Sequence, residues 1–198
     1  MKRLVMIPLL FMIVIPLSFS QTKVNGMGVT VGAGIAGSLS YFELGIALPK
    51  INDTVFIDIK ARFMSAITWT TFVNMESGET VSFHPTVAGG LVSVGTVGPI
   101  VNDELRVYGG GDLLLGYSFT PYDSYAYGVD NLIPPNLTFG AWGHFGVEYF
   151  LGEASSVYIQ SGGGFKSLIV EDKSNAYAVA SSWLGSGFGI QMGSCFYF

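Results

Sequence analysis

The chain has 198 residues, of which 49% are hydrophobic and only 12% are charged, and its formal net charge is −5. Nine basic against 14 acidic side chains leave no basic face for nucleic acid, and a single cysteine, Cys195, excludes an intramolecular disulfide. A chain this apolar must bury its hydrophobic residues in a core or present them to lipid. Its 27 glycines are unfavourable in helix interiors and favour a chain of strands and turns.

The first 20 residues have the layout of a secretory signal peptide. A basic start precedes an apolar run from Leu4 to Leu17, and small, polar residues follow up to Ser20. The run is shorter than the roughly 20 residues that a membrane-spanning helix needs, and it contains two prolines. We therefore expect export and cleavage after Ser20, with residues 21–198 forming one domain. A retained helical anchor is the alternative.

The remaining chain reads as eight segments in which apolar residues alternate with small or polar ones, the two-residue period of a strand with one apolar face. The predicted strands are Gly28–Ala36, Tyr41–Leu48, Thr54–Trp69, Val81–Val97, Leu105–Phe119, Leu137–Phe150, Val157–Leu168 and Trp183–Phe198. Pro49 to Asp53 has the composition of a turn. Pro85 donates no ladder hydrogen bond, so we expect a bulge or a strand end near it.

Charged residues within these strands nearly all lie on the face opposite to the apolar residues. In a soluble sandwich that face would be exposed and more uniformly charged, whereas here glycines are mixed with charges of both signs, which favours a narrow interior. In the predicted strand Val81–Val97 the same pattern assigns Val81, Phe83, Val87 and Leu91 to the apolar face. The candidate interior polar network is Glu43, Asp58, Lys60, Arg62, His84, Arg106, Asp112, His144, Glu148 and Lys166.

The last segment supports a membrane interpretation. Its apolar face carries Phe188, Ile190, Met192, Phe196 and Phe198. Its final eight residues place a polar residue, a glycine and two hydrophobic residues at Gln191, Gly193, Phe196 and Phe198. This pattern resembles the C-terminal assembly signal of bacterial outer-membrane β-barrels. The whole architecture resembles the small eight-stranded OmpX-like and OmpA transmembrane-domain-like group.

The resemblance implies an all-β fold, a single closed antiparallel up-and-down transmembrane β-barrel of eight strands in the outer membrane of a Gram-negative-type (diderm) bacterium. Its implied partners are outer-membrane lipids and the barrel-assembly machinery, which would recognise the C-terminal strand. Alternating short and long connections fit periplasmic turns and external loops. The outer loops carry aromatic residues interspersed with acidic ones. The acidic residues are Glu76, Glu79, Asp123, Asp130, Glu171 and Asp172.

No motif indicates an enzyme, a cofactor or a metal site. His84 and His144 lie in no recognisable nucleophile motif, and no spacing suggests zinc. We expect a side-chain-filled lumen and a structural or surface-interaction role, with the loops contacting a surface ligand or another envelope protein. A narrow channel or conduit for small or hydrophobic molecules is the alternative. An exported lipocalin-like carrier, with its apolar face turned inward, is a third interpretation.

Overall fold

A computed structural model describes residues 26–66, 70–73, 80–83, 85–101, 104–119, 136–168 and 185–198. The strands in this part of the chain are β1 (Gly28–Ala36), β2 (Leu39–Ala47), β3 (Val55–Ala66), β4 (Thr70–Val73), β5 (Thr80–Phe83), β6 (Thr86–Val97), β7 (Leu105–Phe119), β8 (Asn136–Gly152), β9 (Ser155–Leu168) and β10 (Gly187–Tyr197). The described residues contain no helix long and apolar enough to cross a bilayer.

Eight of these strands close into an antiparallel barrel, which confirms the predicted fold and strand number. The order around the barrel is β1-β10-β9-β8-β7-β6-β3-β2, so each barrel strand pairs with its neighbours in sequence and β1 pairs with β10 to close the sheet. Closure satisfies the backbone groups that an open sheet would leave unpaired at its edges. β4 and β5 form a separate two-stranded ladder between β3 and β6.

The barrel has two different rims. The terminal rim contains the start of β1, the end of β10 and the connections 48–54, 98–104 and 153–154. The loop rim, at the opposite end, lies where β1 leads into β2, where β3 and β7 end, where β6 and β8 begin, and where β9 ends and β10 begins. In the terminal rim, Asn52 and Asp53 adopt φ values of 51° and 59° in the predicted turn. Asparagine and aspartate are among the residues that tolerate this left-handed conformation best.

The sequence prediction for the fourth barrel strand needs correction. The barrel strand begins at Thr86, directly after Pro85, whose carbonyl oxygen accepts a hydrogen bond from the Ala66 N–H at 3.1 Å. The expected strand end near Pro85 is therefore confirmed. Residues 81–83, which we predicted as the start of that strand, belong instead to β5.

The two faces of the barrel wall differ in the way that the alternation predicted. Large apolar side chains are exposed on the outer face, among them Phe42, Leu44, Ile59, Phe63, Leu113, Leu115, Phe145, Ile159, Phe165, Phe188 and Met192. Charged side chains of the same strands are buried inside. Phe63 and Leu115 are 50% and 59% exposed, whereas Arg62 is 3% exposed. The distribution is the reverse of that in a soluble protein, where large exposed apolar patches are rare.

Two residue assignments within this pattern were wrong. Val87 and Leu91 point inward, because they pair with Met64 and Lys60, which are inward residues of β3. β6 begins only after Pro85, so its inward face is set by its pairing with β3. The alternation counted from Val81 therefore does not predict that face. Phe196 keeps the outward parity, opposite Val29 of β1, but is only 8% exposed.

The end of β10 is held by backbone hydrogen bonds on both sides at the terminal rim. Tyr197 donates its N–H to the Ala154 carbonyl at 2.8 Å, and Phe198 donates to the Met27 carbonyl at 2.9 Å. The last residues of β10 are therefore enclosed between two neighbouring segments. Phe198 itself remains exposed.

The half of the lumen nearest the loop rim contains a cluster of buried apolar side chains. We call this cluster the apolar plug, and it consists of Ala36, Leu39, Met64, Ala66, Val87, Leu91, Leu114 and Trp142. Leu39, Met64 and Val87 are completely buried. The sequence pattern had assigned a polar character to the whole interior, so this plug was not anticipated.

Candidate functional site: a polar lumen

Strand register brings opposite charges face to face inside the barrel. Glu43 on β2 is the direct cross-strand partner of Arg62 on β3, and Arg106 on β7 is the direct partner of Glu148 on β8. Residues opposite each other in an antiparallel pair have Cβ atoms about 4.5–5.5 Å apart, within reach of an ion pair. Each of the two pairs belongs to a separate cluster of polar side chains.

The central cluster consists of Glu43, Asp58, Lys60, Arg62 and Asp112. The Arg62 Nη2 lies 2.8 Å from Glu43 Oε2 and 3.2 Å from Asp112 Oδ2. The Lys60 Nζ lies 3.2 Å from Glu43 Oε1 and 3.6 Å from Asp58 Oδ2. Each of these charges has an opposite partner, as buried charges require, because an isolated one would cost several kcal/mol.

Aromatic rings add to the environment of Arg62. Its guanidinium carbon lies 4.4 Å from the Tyr41 ring centroid and 5.3 Å from that of Trp142. Both distances are within the range in which the ring face attracts a cation. Arg62 is therefore fixed by two carboxylates and two rings.

Gln191, the polar residue of the C-terminal motif, connects β10 to this cluster. Its Oε1 accepts hydrogen bonds from the Tyr41 hydroxyl at 3.0 Å and from the Gln160 Nε2 at 2.8 Å. Its Nε2 donates to the Tyr158 hydroxyl at 3.0 Å and to Glu43 Oε1. Two donors and two acceptor positions are thus all used, which is the full capacity of an amide.

The rim cluster, formed by Arg106, Glu148, Ser156 and Tyr197, lies near the terminal rim. The Arg106 Nε donates to Glu148 Oε2 at 2.7 Å, and its Nη2 donates to the Tyr197 hydroxyl at 3.1 Å. The Tyr197 hydroxyl donates to Glu148 Oε1 at 2.7 Å, and the Ser156 hydroxyl donates to the same oxygen. Tyr197 thereby ties the end of β10 to β7 and β8.

Lys50, in the connection 48–54, lies at the mouth of this region. Its Nζ is 5.0 Å from the centroid of the Tyr197 ring. Burial, together with the nearby positive charge of Arg106, lowers the pKa of the Lys50 ammonium from its ordinary value.

Glycines opposite large side chains allow these groups to lie flat against the wall. A Cβ at Gly193 would overlap the Tyr158 ring and the Val31 carbonyl oxygen, and a Cβ at Gly140 would overlap the Trp142 indole. By contrast, a Cβ at the outward-facing Gly143 would meet no atom within 4 Å. The inward glycines therefore serve to accommodate the aromatic rings of the lumen.

Two cavities adjoin the polar clusters in the described part of the barrel. The larger, about 60 Å³, lies toward the terminal rim and is lined by Lys50, Asp58, Lys60, Arg106, Glu148 and Tyr197 among others. The smaller, about 30 Å³, is lined by Tyr41, Arg62, Asp112, Trp142, His144 and Gln191 among others. His144 and Gln160 line both cavities.

The structure places nine of the ten proposed network residues. Eight belong to or border the two clusters, and all have side chains directed into the lumen. Lys166 is buried on β9, opposite Gly140 of β8. His84, the predicted signal peptide at residues 1–20 and the acidic loop residues lie outside the described residues.

Sequence reasoning missed the neutral part of the network. Gln160, Gln191 and Tyr158 link the charged residues, yet we had selected interior residues by charge and histidine alone. The sequence did contain a signal for them, because each lies at an alternate position on the face of its strand opposite to the apolar residues. Among the described residues, no group of three or more His, Cys, Asp or Glu side chains is arranged to hold a metal ion.

Comparison with protein-family models gives no match, and comparison with curated proteins gives no match either. The function of the chain is therefore inferred from the geometry of the barrel and the chemistry of its two faces.

Proposed function

We propose that this protein is an integral outer-membrane β-barrel, without enzymatic activity, that has a structural or surface-interaction role. The observation that carries the proposal is the inverted distribution of side chains. An exposed apolar wall surrounds a lumen of paired charges, which is the arrangement expected of strands that pass through lipid. The same distribution is the reverse of what a lipocalin-like carrier would need.

Two sequence features support the compartment. The N-terminal segment resembles an export signal, and the motif from Gln191 to Phe198 resembles the signal that outer-membrane barrels present to their assembly machinery. With the terminal rim in the periplasm, the connections 37–38, 67–85, 120–135 and 169–186 would face outward. Three of these are long and carry the acidic and aromatic residues, which favours the loops as the contact surface for a ligand or an envelope protein.

The test of this proposal is expression of the full chain in a diderm host, followed by membrane fractionation. We expect the protein to sediment with outer membranes, to resist extraction at alkaline pH and to require detergent for solubility. A monodisperse protein that is soluble without detergent would contradict the proposal.

A narrow channel is the second candidate, favoured by the two lumenal cavities that share His144 and Gln160 as lining residues. Against conduction stands the apolar plug, in which every side chain except that of Trp142 lacks a polar group for a permeating ion. Planar-bilayer recording of the purified barrel distinguishes the two functions. We expect no ion conductance, and regular single-channel steps would favour the channel.

A further inference from the structure

Three residues that line the smaller cavity each carry a buried polar atom that has no hydrogen-bond partner among the described residues. The three atoms are Asp112 Oδ1, Trp142 Nε1 and His144 Nδ1. Asp112 and Trp142 are 3% and 8% exposed, and the His144 side chain is 6% exposed. Buried polar groups without partners are rare in folded proteins, because each costs about 1–3 kcal/mol.

Strand register explains why these three residues lie side by side on the inner face. Asp112 on β7 is the direct cross-strand partner of Trp142 on β8, and His144 lies two residues further along β8 on the same face. All three residues line the cavity of about 30 Å³. A water-sized site needs about 10–15 Å³ and two to four polar partners, so the cavity meets both requirements.

The chemistry of the three atoms restricts what the cavity accepts. An indole N–H is only a donor, so the bound species must offer a lone pair, which excludes ammonium and metal cations. Asp112 accepts a hydrogen bond from Arg62 through Oδ2, and its second carboxylate oxygen would repel an anion. The remaining class is a small neutral molecule that both donates and accepts hydrogen bonds.

The distance between His144 and Asp112 adds a further restriction. His144 Nδ1 and Asp112 Oδ1 are 3.5 Å apart, beyond the 2.7–3.2 Å of an N–H···O hydrogen bond. A histidine protonated at Nδ1 would be expected to close this gap and donate directly. The two atoms therefore do not hydrogen-bond directly, and both remain available as acceptors for a third group.

We propose that the cavity is a binding site for one ordered water molecule that joins β7 to β8. The water accepts a hydrogen bond from Trp142 Nε1 and donates one hydrogen each to Asp112 Oδ1 and His144 Nδ1. His144 is then neutral, with its proton on Nε2. The water lies at the boundary between the apolar plug, to which Trp142 belongs, and the central cluster, to which Asp112 belongs.

The experiment is NMR spectroscopy of the full chain, labelled with ¹⁵N and folded in detergent micelles. We expect a ROESY cross-peak between the Trp142 indole proton and water, opposite in sign to the diagonal, because that sign separates dipolar contact with bound water from proton exchange. We also expect the ¹⁵N spectrum of His144 to show an unprotonated Nδ1 and a protonated Nε2.

Two variants assign these signals. Trp142→Phe removes the indole proton and keeps an aromatic ring, and His84→Gln removes the signals of the other histidine. If Trp142→Phe fails to fold, sequential assignment of the unmodified chain identifies the same indole proton. The absence of a dipolar cross-peak to water would overturn the proposal, as would a His144 ring protonated on both nitrogens.

Discussion

At the scale of single residues, the lumen is organised by the pairing of buried charges. Glu43 contacts both Lys60 and Arg62, and Arg62 also contacts Asp112, so the removal of any one of these residues takes an ion-pair partner from at least one other buried charge. Removing one partner of a buried ion pair typically costs about 3–5 kcal/mol. The network therefore constrains which strands can pair, through the chemistry of a few side chains.

The first prediction concerns Arg62. Arg62→Met keeps much of the side-chain volume but leaves Glu43 and Asp112 without their shared cation. We expect the free energy of unfolding to fall by about 3–5 kcal/mol, measured by urea unfolding of the barrel in lipid vesicles. Phe63→Leu, on the opposite face of the same strand, is the control and should cost less than about 1.5 kcal/mol. An equal free energy of unfolding for Arg62→Met and the parent chain would show that these ion pairs do not stabilise the barrel.

The second prediction separates inward from outward glycines. Gly193→Ala should destabilise the barrel by about 1–3 kcal/mol, because the added methyl group overlaps Tyr158 and the backbone of Val31. Gly143→Ala is the matched control, since its methyl group points into open space and should be neutral or stabilising by up to about 1 kcal/mol. The measurement is again the free energy of unfolding in vesicles. Similar values for the two variants would contradict the assigned role of Gly193.

At the scale of the strands, alternation alone predicted most of the barrel. Strands β1 and β7 have the predicted bounds, and the others differ by a few residues, except near Pro85, where β5 and β6 replace one strand. The two-residue alternation shows which residues of a strand share a face. It does not show which of the two faces points inward in a strand that begins after a proline, so Val87 and Leu91 were assigned to the wrong face. The parity of charged residues was more reliable, because charge would be costly on the face that we propose contacts lipid.

Contacts across the lumen were beyond the reach of the sequence. Gln191 hydrogen-bonds to Glu43, Gln160, Tyr41 and Tyr158, which are distant in the chain. Their meeting depends on barrel closure and on the stagger between strands. Neither quantity follows from local periodicity. The apolar plug was missed for the same reason.

The third prediction tests the outer face of one strand. Leu113 is 66% exposed on β7. Leu113→Arg places a charge against the hydrocarbon and should destabilise the barrel by about 2–4 kcal/mol if the position lies near the bilayer midplane. Leu113→Met preserves the apolar character and serves as the control. The two variants are compared by unfolding in vesicles, and a harmless arginine would mean that Leu113 does not contact lipid.

The fourth prediction tests the inner face of the same strand. Leu114→Ala removes part of the apolar plug and should cost about 2–5 kcal/mol, because the closed wall can collapse only partly around the space left behind. The change in unfolding free energy is measured in the same vesicles. Leu115→Ala, at the next position on the outer face, should cost less, since lipid chains can fill the gap. A larger loss of stability for Leu115→Ala than for Leu114→Ala would contradict the assignment of Leu114 to the inner face and Leu115 to the outer face.

At the scale of the whole molecule, the barrel is asymmetric along its axis. The half near the loop rim is closed by the apolar plug, whereas the half near the terminal rim contains the rim cluster and the larger cavity. An eight-stranded barrel is just wide enough for its side chains to fill it, which agrees with this packing. These features favour a closed barrel whose activity lies on its surfaces rather than along its axis.

The contact between the outer wall and lipid is the central claim, and electron paramagnetic resonance tests it most directly. Nitroxide labels are attached at Phe63→Cys, Leu115→Cys and Phe188→Cys in separate variants, each in the Cys195→Ser background and reconstituted in lipid vesicles. We predict that molecular oxygen, which concentrates in the bilayer, relaxes all three labels strongly, while a water-soluble nickel complex does not. Strong relaxation by the nickel complex at these three positions, with little effect of oxygen, would contradict the account.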